Sequence, residues 1–145
     1  MQFPSPVGSF LSHAEKVRKK VEKDSGRVHR NARSLVVKFN SPDYSYNGSK
    51  IPAVNVSASR DSVGVVHISL VNLDPAKSIT VRTTVENLIS KSVTGQILTS
   101  ERFTDINTFG EPEKVKPAVF NGVKKQGGEL VVTLPAKSVV VVEVK

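Results

Sequence analysis

The stretch from Ile51 to Pro75 alternates. Val54, Val56 and Ala58 are separated by Asn55, Ser57 and Ser59, and Val66, Ile68 and Leu70 by His67 and Ser69, the period of strands with one buried face. Between the two runs, Asp61-Ser62-Val63-Gly64 supplies polar turn residues and a glycine able to take positive φ. The stretch therefore predicts a β-hairpin. Near its end the apolar positions shift from 66, 68 and 70 to 71 and 73. Either a bulge near Leu70-Val71 or burial on both faces accounts for the shift.

Further strands are expected over Leu35–Asn40, Ser78–Val85, Lys91–Leu98, Glu129–Leu134 and Ser138–Val144, with the hairpin strands at Ile51–Arg60 and Val65–Leu73. Turn clusters such as Ser41-Pro42-Asp43, Tyr46-Asn47-Gly48, Asp74-Pro75, Gly127-Gly128 and Pro135-Ala136-Lys137 separate them. No amphipathic helix intervenes, so the pattern predicts an all-β domain, an antiparallel two-sheet β-sandwich of jelly-roll-like type. The continuous run Val139–Val142 suits a central strand covered on both sides. One long stretch, Thr99 to Lys116, has no strand pattern, and a loop of that length in a compact domain is usually functional or docked on a partner.

The first residues follow another rule. Ser12 and Glu15 fit a capping box, with Ala14, Val17 and Val21 on one side of a helix running to about Lys23. Its apolar stripe has few large residues, so such a helix is marginal unless it docks. Residues 1–34 are expected to form a basic, partly helical extension, and residues 35–145 the folded β-sandwich domain.

Length, charge and cysteine content narrow the function classes. A chain of 145 residues fits one domain but not a (β/α)8 barrel of roughly 250. No run of about 18 apolar residues is available to span a bilayer, so a soluble protein is expected; no secretory signal is legible at the N-terminus, which leaves the compartment open between cytosol and exterior, with the cytoplasm favoured. The absence of cysteine excludes disulfides, thiolate metal sites and cysteine nucleophiles. The net charge is +8, but residues 1–40 hold nine Lys or Arg against three acidic residues. The other 105 residues carry only +2, so the basicity belongs to the extension. That extension suits phosphate contacts, yet it has no aromatic residue from Val17 to Ser34 for base stacking. Nucleic-acid binding is not expected.

Candidate chemistry is sparse. Glu101, Asp105, Glu111 and Glu113 are the one dense carboxylate group outside the extension, but nothing nearby would desolvate one of them for acid–base work. They read as solvated loop charges. His13, His29 and His67 lack ligand spacing, and no nucleophile elbow or phosphate-binding glycine loop occurs. No catalytic residue, metal or cofactor is expected. For sugars, which stack on exposed aromatic faces, the chain offers no Trp and only Tyr44 and Tyr46, two apart and on one face if extended. They form a candidate sugar platform, with strand packing as the other use. Phe103, Phe109 and Phe120 surround the long loop and are expected to anchor it.

Five texts in fixed order carry a family resemblance: IPAVNVSASR (51–60), VHISLVNLDP (66–75), VTGQILTS (93–100), DINTFGEPEKVKP (105–117) and LPAKSVVVVEV (134–144). Over about residues 41–145 the chain resembles the C-terminal domain of α-L-arabinofuranosidases of glycoside hydrolase family 51. Residues 1 to about 38 do not look like the family. The resemblance implies a β-sandwich that packs on a catalytic (β/α)8 barrel, where two glutamates perform retaining hydrolysis of α-L-arabinofuranosides. It implies no counterpart of either glutamate here. On this reading the chain is a non-catalytic accessory domain, inactive alone, whose long loop, with Phe103, Asn107, Phe109 and Phe120, serves the barrel contact or self-association. The alternative is a standalone module that binds arabinose-containing polysaccharide, or an anionic partner through the extension.

Overall fold

The computed structural model describes residues 32–85 and 92–145. The expected helix near residues 12–23 lies outside them. The described residues form eleven strands: β1 (Arg33–Ser34), β2 (Asp43–Tyr46), β3 (Ser49–Pro52), β4 (Val54–Arg60), β5 (Val66–Asn72), β6 (Ile79–Thr83), β7 (Val93–Leu98), β8 (Ala118–Val119), β9 (Val123–Gln126), β10 (Glu129–Leu134) and β11 (Ser138–Val144). All pairings are antiparallel. They build a six-stranded sheet of order β1-β4-β5-β11-β7-β8, a three-stranded sheet β6-β10-β9, and the hairpin β2-β3.

The predicted hairpin is β4–β5, in unbroken register from Val54↔Asn72 to Arg60↔Val66. There is no bulge at Leu70-Val71. The apolar shift reflects burial on both faces: Ile68 and Leu70 join one core, Val71 another. At the turn, Asp61 Oδ1 accepts the backbone N–H of Val63 at 3.0 Å and of Val65 at 2.9 Å, and Gly64 takes φ +91°. Asp61 Oδ2 lies 3.3 Å from His67 Nε2. Partial burial works to raise the Asp61 pKa, but the His67 and backbone hydrogen bonds outweigh it and hold the carboxyl below its usual value.

The main core lies where the inner face of the six-stranded sheet meets the three-stranded sheet. Val54, Val66, Ile68, Leu70, Val140, Val142 and Val144 come from the first, and Val81, Leu130, Val132 and Leu134 from the second. Phe120 joins them beside two glycines. A Cβ on Gly122 would stand 2.4 Å from the Phe120 ring, and one on Gly95 3.0 Å from the Phe120 carbonyl, so both positions must lack a side chain for the ring to fit. A second cluster, Val71, Leu98, Val115, Val139 and Val141, covers the opposite face of the six-stranded sheet. As its sequence predicts, β11 is thus buried on both faces, between β5 and β7.

Three stretches depart from the expected strands. Leu35–Asn40 forms no ladder; Arg33 and Ser34 pair with Arg60 and Ser59 instead, and Leu35 donates to Ala58 O before the chain leaves the sheet. Residues 51–60 are not one strand: the chain breaks at Ala53, and Ile51-Pro52 belong to the β2–β3 hairpin, whose Asn47-Gly48 turn has φ +47° and +78°. The strand β9, VKKQ, has no apolar alternation and pairs with β10 through the Gly127-Gly128 turn. Hairpin geometry formed these elements where hydrophobic periodicity was silent.

One polar side chain ties the two main sheets at their ends. Asn72, 1% exposed, donates from Nδ2 to the carbonyls of Lys77 at 2.9 Å and Pro135 at 2.8 Å, and its Oδ1 accepts the Asp74 N–H at 3.0 Å. Asp74 Oδ1 then accepts the N–H groups of Ala76 and Lys77. Asn72→Ala would strand several buried polar groups, with an expected loss of about 3 kcal/mol, read from the urea midpoint at unchanged slope. Asp61→Asn is expected to destabilise at pH 7. Because the folded pKa is lowered, that stabilisation is present above the unfolded carboxylate value of about 3.9 and lost as pH falls through the folded one. Urea midpoints of wild type and variant should therefore converge as pH falls below the unfolded carboxylate value and through the lowered folded one, and a constant gap would refute the Asp61 assignment.

Candidate functional site

The long loop after β7 is held by its own side chains. Asn107 pairs with the backbone of Val115 in both directions: Nδ2 donates to Val115 O at 2.9 Å, and the Val115 N–H donates to Oδ1 at 2.6 Å. An amide side chain here substitutes for a strand partner. That clamp seats Val115 as a buried plug on Val71, Leu98, Val139 and Val141. Asp105 Oδ2 accepts the Arg102 N–H at 3.0 Å, Thr108 Oγ1 accepts the Glu111 N–H at 3.1 Å, and Ser100 Oγ donates to Arg102 O at 2.6 Å.

Asp105, Glu111 and Glu113 are used internally. Lys114 Nζ reaches Glu111 at 3.3 Å and Asp105 at 3.6 Å, and Lys116 reaches Glu113 at 3.1 Å. The Glu111 hydrogen bond, with the charges of Glu111 and Asp105, raises the Lys114 pKa above its usual value. Exposed pairs of this kind add little stability singly; here several of them act on one short segment.

The three phenylalanines separate. Phe120 is 8% exposed and lies in the main core, so it anchors the chain at β8; Phe103 is 41% exposed, and Phe109 is fully exposed at the loop tip. Phe109 does not anchor the loop. That role falls to Val115, which the sequence left unmarked although it sits three residues after Pro112 in the loop text. Ile106 in the loop and Val119 on the short edge strand β8 are also exposed.

Tyr44 and Tyr46 lie on β2, both half-buried and on one face of the β2–β3 hairpin, with Tyr44 opposite Ile51 and Tyr46 opposite Ser49. His67 is buried on the outer side of β5, its Nδ1 3.8 Å from Glu143. Among the described residues no group of three or more His, Cys, Asp or Glu is placed to hold a metal ion.

Known proteins share this arrangement. The model of the α-L-arabinofuranosidase C-terminal domain family matches residues 25–138. An intracellular exo-α-L-arabinofuranosidase of Bacteroides ovatus is 36% identical over 120 residues, 82% of this chain and 23% of that protein. The family 51 arabinofuranosidase structure from Xanthomonas axonopodis pv. citri superposes with TM-score 0.76 at 38% identity, over 79% of this chain and 23% of its own. A family 51 α-L-arabinofuranosidase from Bifidobacterium longum, at 24% identity and TM-score 0.64 over 73% of this chain and 21% of its own, shares the fold. The chain thus spans under a quarter of the length of these relatives. The match also begins earlier than the sequence motifs indicated, at residue 25 rather than near 41, and so takes in Arg33–Leu35, whose place is fixed by pairing with β4. An all-β antiparallel body with that N-terminal edge and this span of matching sequence belongs to the C-terminal domain family of glycoside hydrolase family 51 α-L-arabinofuranosidases.

Proposed function

We propose that this chain is a non-catalytic accessory domain, a two-layer, jelly-roll-like β-sandwich that packs on and stabilises a catalytic (β/α)8 barrel lying outside its 145 residues. The observation that carries the reading is Phe109, a large apolar ring fully exposed on a loop that hydrogen bonds hold rigid. Exposed aromatic residues on preorganised loops are the usual anchors of protein contacts, because little ordering entropy remains to be lost on docking. Ile106 and Val119 extend the contact, and Asn107 positions it. The folded domain is taken as residues 35–145, with β1 as the edge through which the basic extension 1–34 joins it.

Hydrolysis of α-L-arabinofuranosides belongs, in this reading, to the barrel. Retaining hydrolysis needs two carboxyl groups about 5 Å apart across the sugar, one with a raised pKa. Asp105, Glu111 and Glu113 are instead paired with Lys114 and Lys116. A second reading, binding of arabinose-containing polysaccharide, draws on the shared face of Tyr44 and Tyr46.

The purified chain should release no arabinose from an aryl arabinofuranoside above a heat-killed control. It should bind the barrel portion of a family 51 enzyme lacking its own C-terminal domain, measured by calorimetry. Phe109→Asp should weaken that binding by about 2 kcal/mol while shifting the chain's own urea stability by less than about 0.5 kcal/mol. Equal affinity of wild type and variant would remove the loop from the contact. For the second reading, affinity electrophoresis on arabinan should show retardation that Tyr44→Ala and Tyr46→Ala together abolish. No retardation of the wild type would eliminate it.

A further inference from the structure

The two main sheets do not match in width. The three-stranded sheet stops at β6, whereas the six-stranded sheet continues past β5 to β4 and β1. On the inner face of β4, Val56 and Ala58 are only half-buried, as expected where no strand among the described residues lies above them. An open groove of about 600 Å³ occupies this place, and Val37, Phe39, Val56, Ala58, Val81 and Val85 are among its lining residues. One wall is the outer edge of β6, which pairs only with β10. Its remaining backbone donors and acceptors have no ladder partner among the described residues. The other wall is the segment 35–39, which leaves the sheet after Leu35 and exposes Val36 at 93%. An open strand edge beside an uncovered apolar floor is the geometry that accepts an added strand.

Charge indicates what kind of strand. The charged side chains lining the groove are Lys38, Arg60 and Arg82, with no carboxylate among them. Arg82 has a 3.7 Å contact with Glu129 outside the groove. Arg60 Nε is buried with no hydrogen-bond partner, which is costly for a charged group unless something else supplies the acceptor.

We propose that this groove is a strand-acceptor site for an extended polypeptide segment in which apolar and acidic residues alternate. The segment adds to β6 as a fourth strand of the smaller sheet and lays its apolar side chains on Val56 and Ala58. Its carboxylates, all on the outward face of the added strand, answer Arg82 on the outward side of β6. Two nearer occupants are disfavoured by charge. A second copy inserting its own LVVKF segment would bring Lys38 to a groove that already holds three cations, and the chain's first 31 residues carry seven basic side chains against three acidic. The site is independent of the Phe109 contact, whose loop is seated by Val115 on the opposite face of the six-stranded sheet.

The test uses the full chain and fluorescein-labelled nine-residue peptides of alternating Val and Glu, read by fluorescence anisotropy. Saturable binding is expected, at least tenfold weaker when every Glu is replaced by Lys, and lost when the backbone nitrogens of one edge are methylated. Arg82→Glu, on the solvent side of β6, should weaken binding at least tenfold if circular dichroism shows it folded. Phe109→Asp should leave binding unchanged, which separates this site from barrel docking. Absence of saturable binding, equal affinity for the Glu and Lys peptides, or indifference to methylation overturns the proposal. So does a dimer, seen by sedimentation, that the Glu peptide fails to dissociate.

Discussion

The structure rests on a strand that has no exposed side. β11 is hydrogen-bonded to β5 on one edge and β7 on the other, and its valines face two separate apolar clusters. Val140, Val142 and Val144 meet the three-stranded sheet, while Val139 and Val141 meet Leu98, Val71 and Val115. A run of β-branched residues this apolar is an aggregation hazard if either face is left open. Each face therefore needs its own cover. The smaller sheet provides one, and the long loop provides the other.

That requirement explains the form of the loop. A segment without regular structure must satisfy its backbone while lying on an apolar face. Asn107 does this for Val115 by supplying both a donor and an acceptor. Once Val115 is fixed as the plug, the residues between 107 and 115 close as a braced arch, tied by Thr108, Glu111 and Lys114, and Phe109 stands outside it. Covering the core and presenting a contact residue are thus two results of one clamp. Asn72 plays the matching part at the end of β5, where its amide holds the 74–77 turn and the 135–138 connection together. Both asparagines are amides replacing ladder bonds where the chain leaves a sheet.

The distribution of cover also explains the open groove. With three strands above and six below, the smaller sheet cannot roof β4, and the Leu35–Phe39 segment borders the gap rather than filling it. The surface that results is apolar at its floor and cationic at its rim. The braced loop, by contrast, has Asp105, Glu111 and Glu113 already paired with Lys114 and Lys116 and presents hydrocarbon at Phe109. The two regions thus call for partners of different chemistry, on opposite faces of the same sheet.

The sequence determined the elements whose information is local. Alternation at Val54–Ala58 and Val66–Leu70 gave β4 and β5, Asp61 and Gly64 their turn, and the Val139–Val142 run a doubly covered strand, because side-chain period and turn chemistry act over a few residues. The texts from IPAVNV to LPAKSV carried the family. Tertiary structure decided what local pattern could not. Leu35–Asn40 reads as strand yet forms none, since a ladder needs a neighbour, and VKKQ became β9 because β10 offered one. Phe103, Phe109 and Phe120 look equivalent in the chain, but the space left by Gly95 and Gly122 takes only Phe120. Val115 became the loop's anchor through contacts with residues far from it in sequence. Burial is a property of what lies opposite, and the chain alone does not state what that will be.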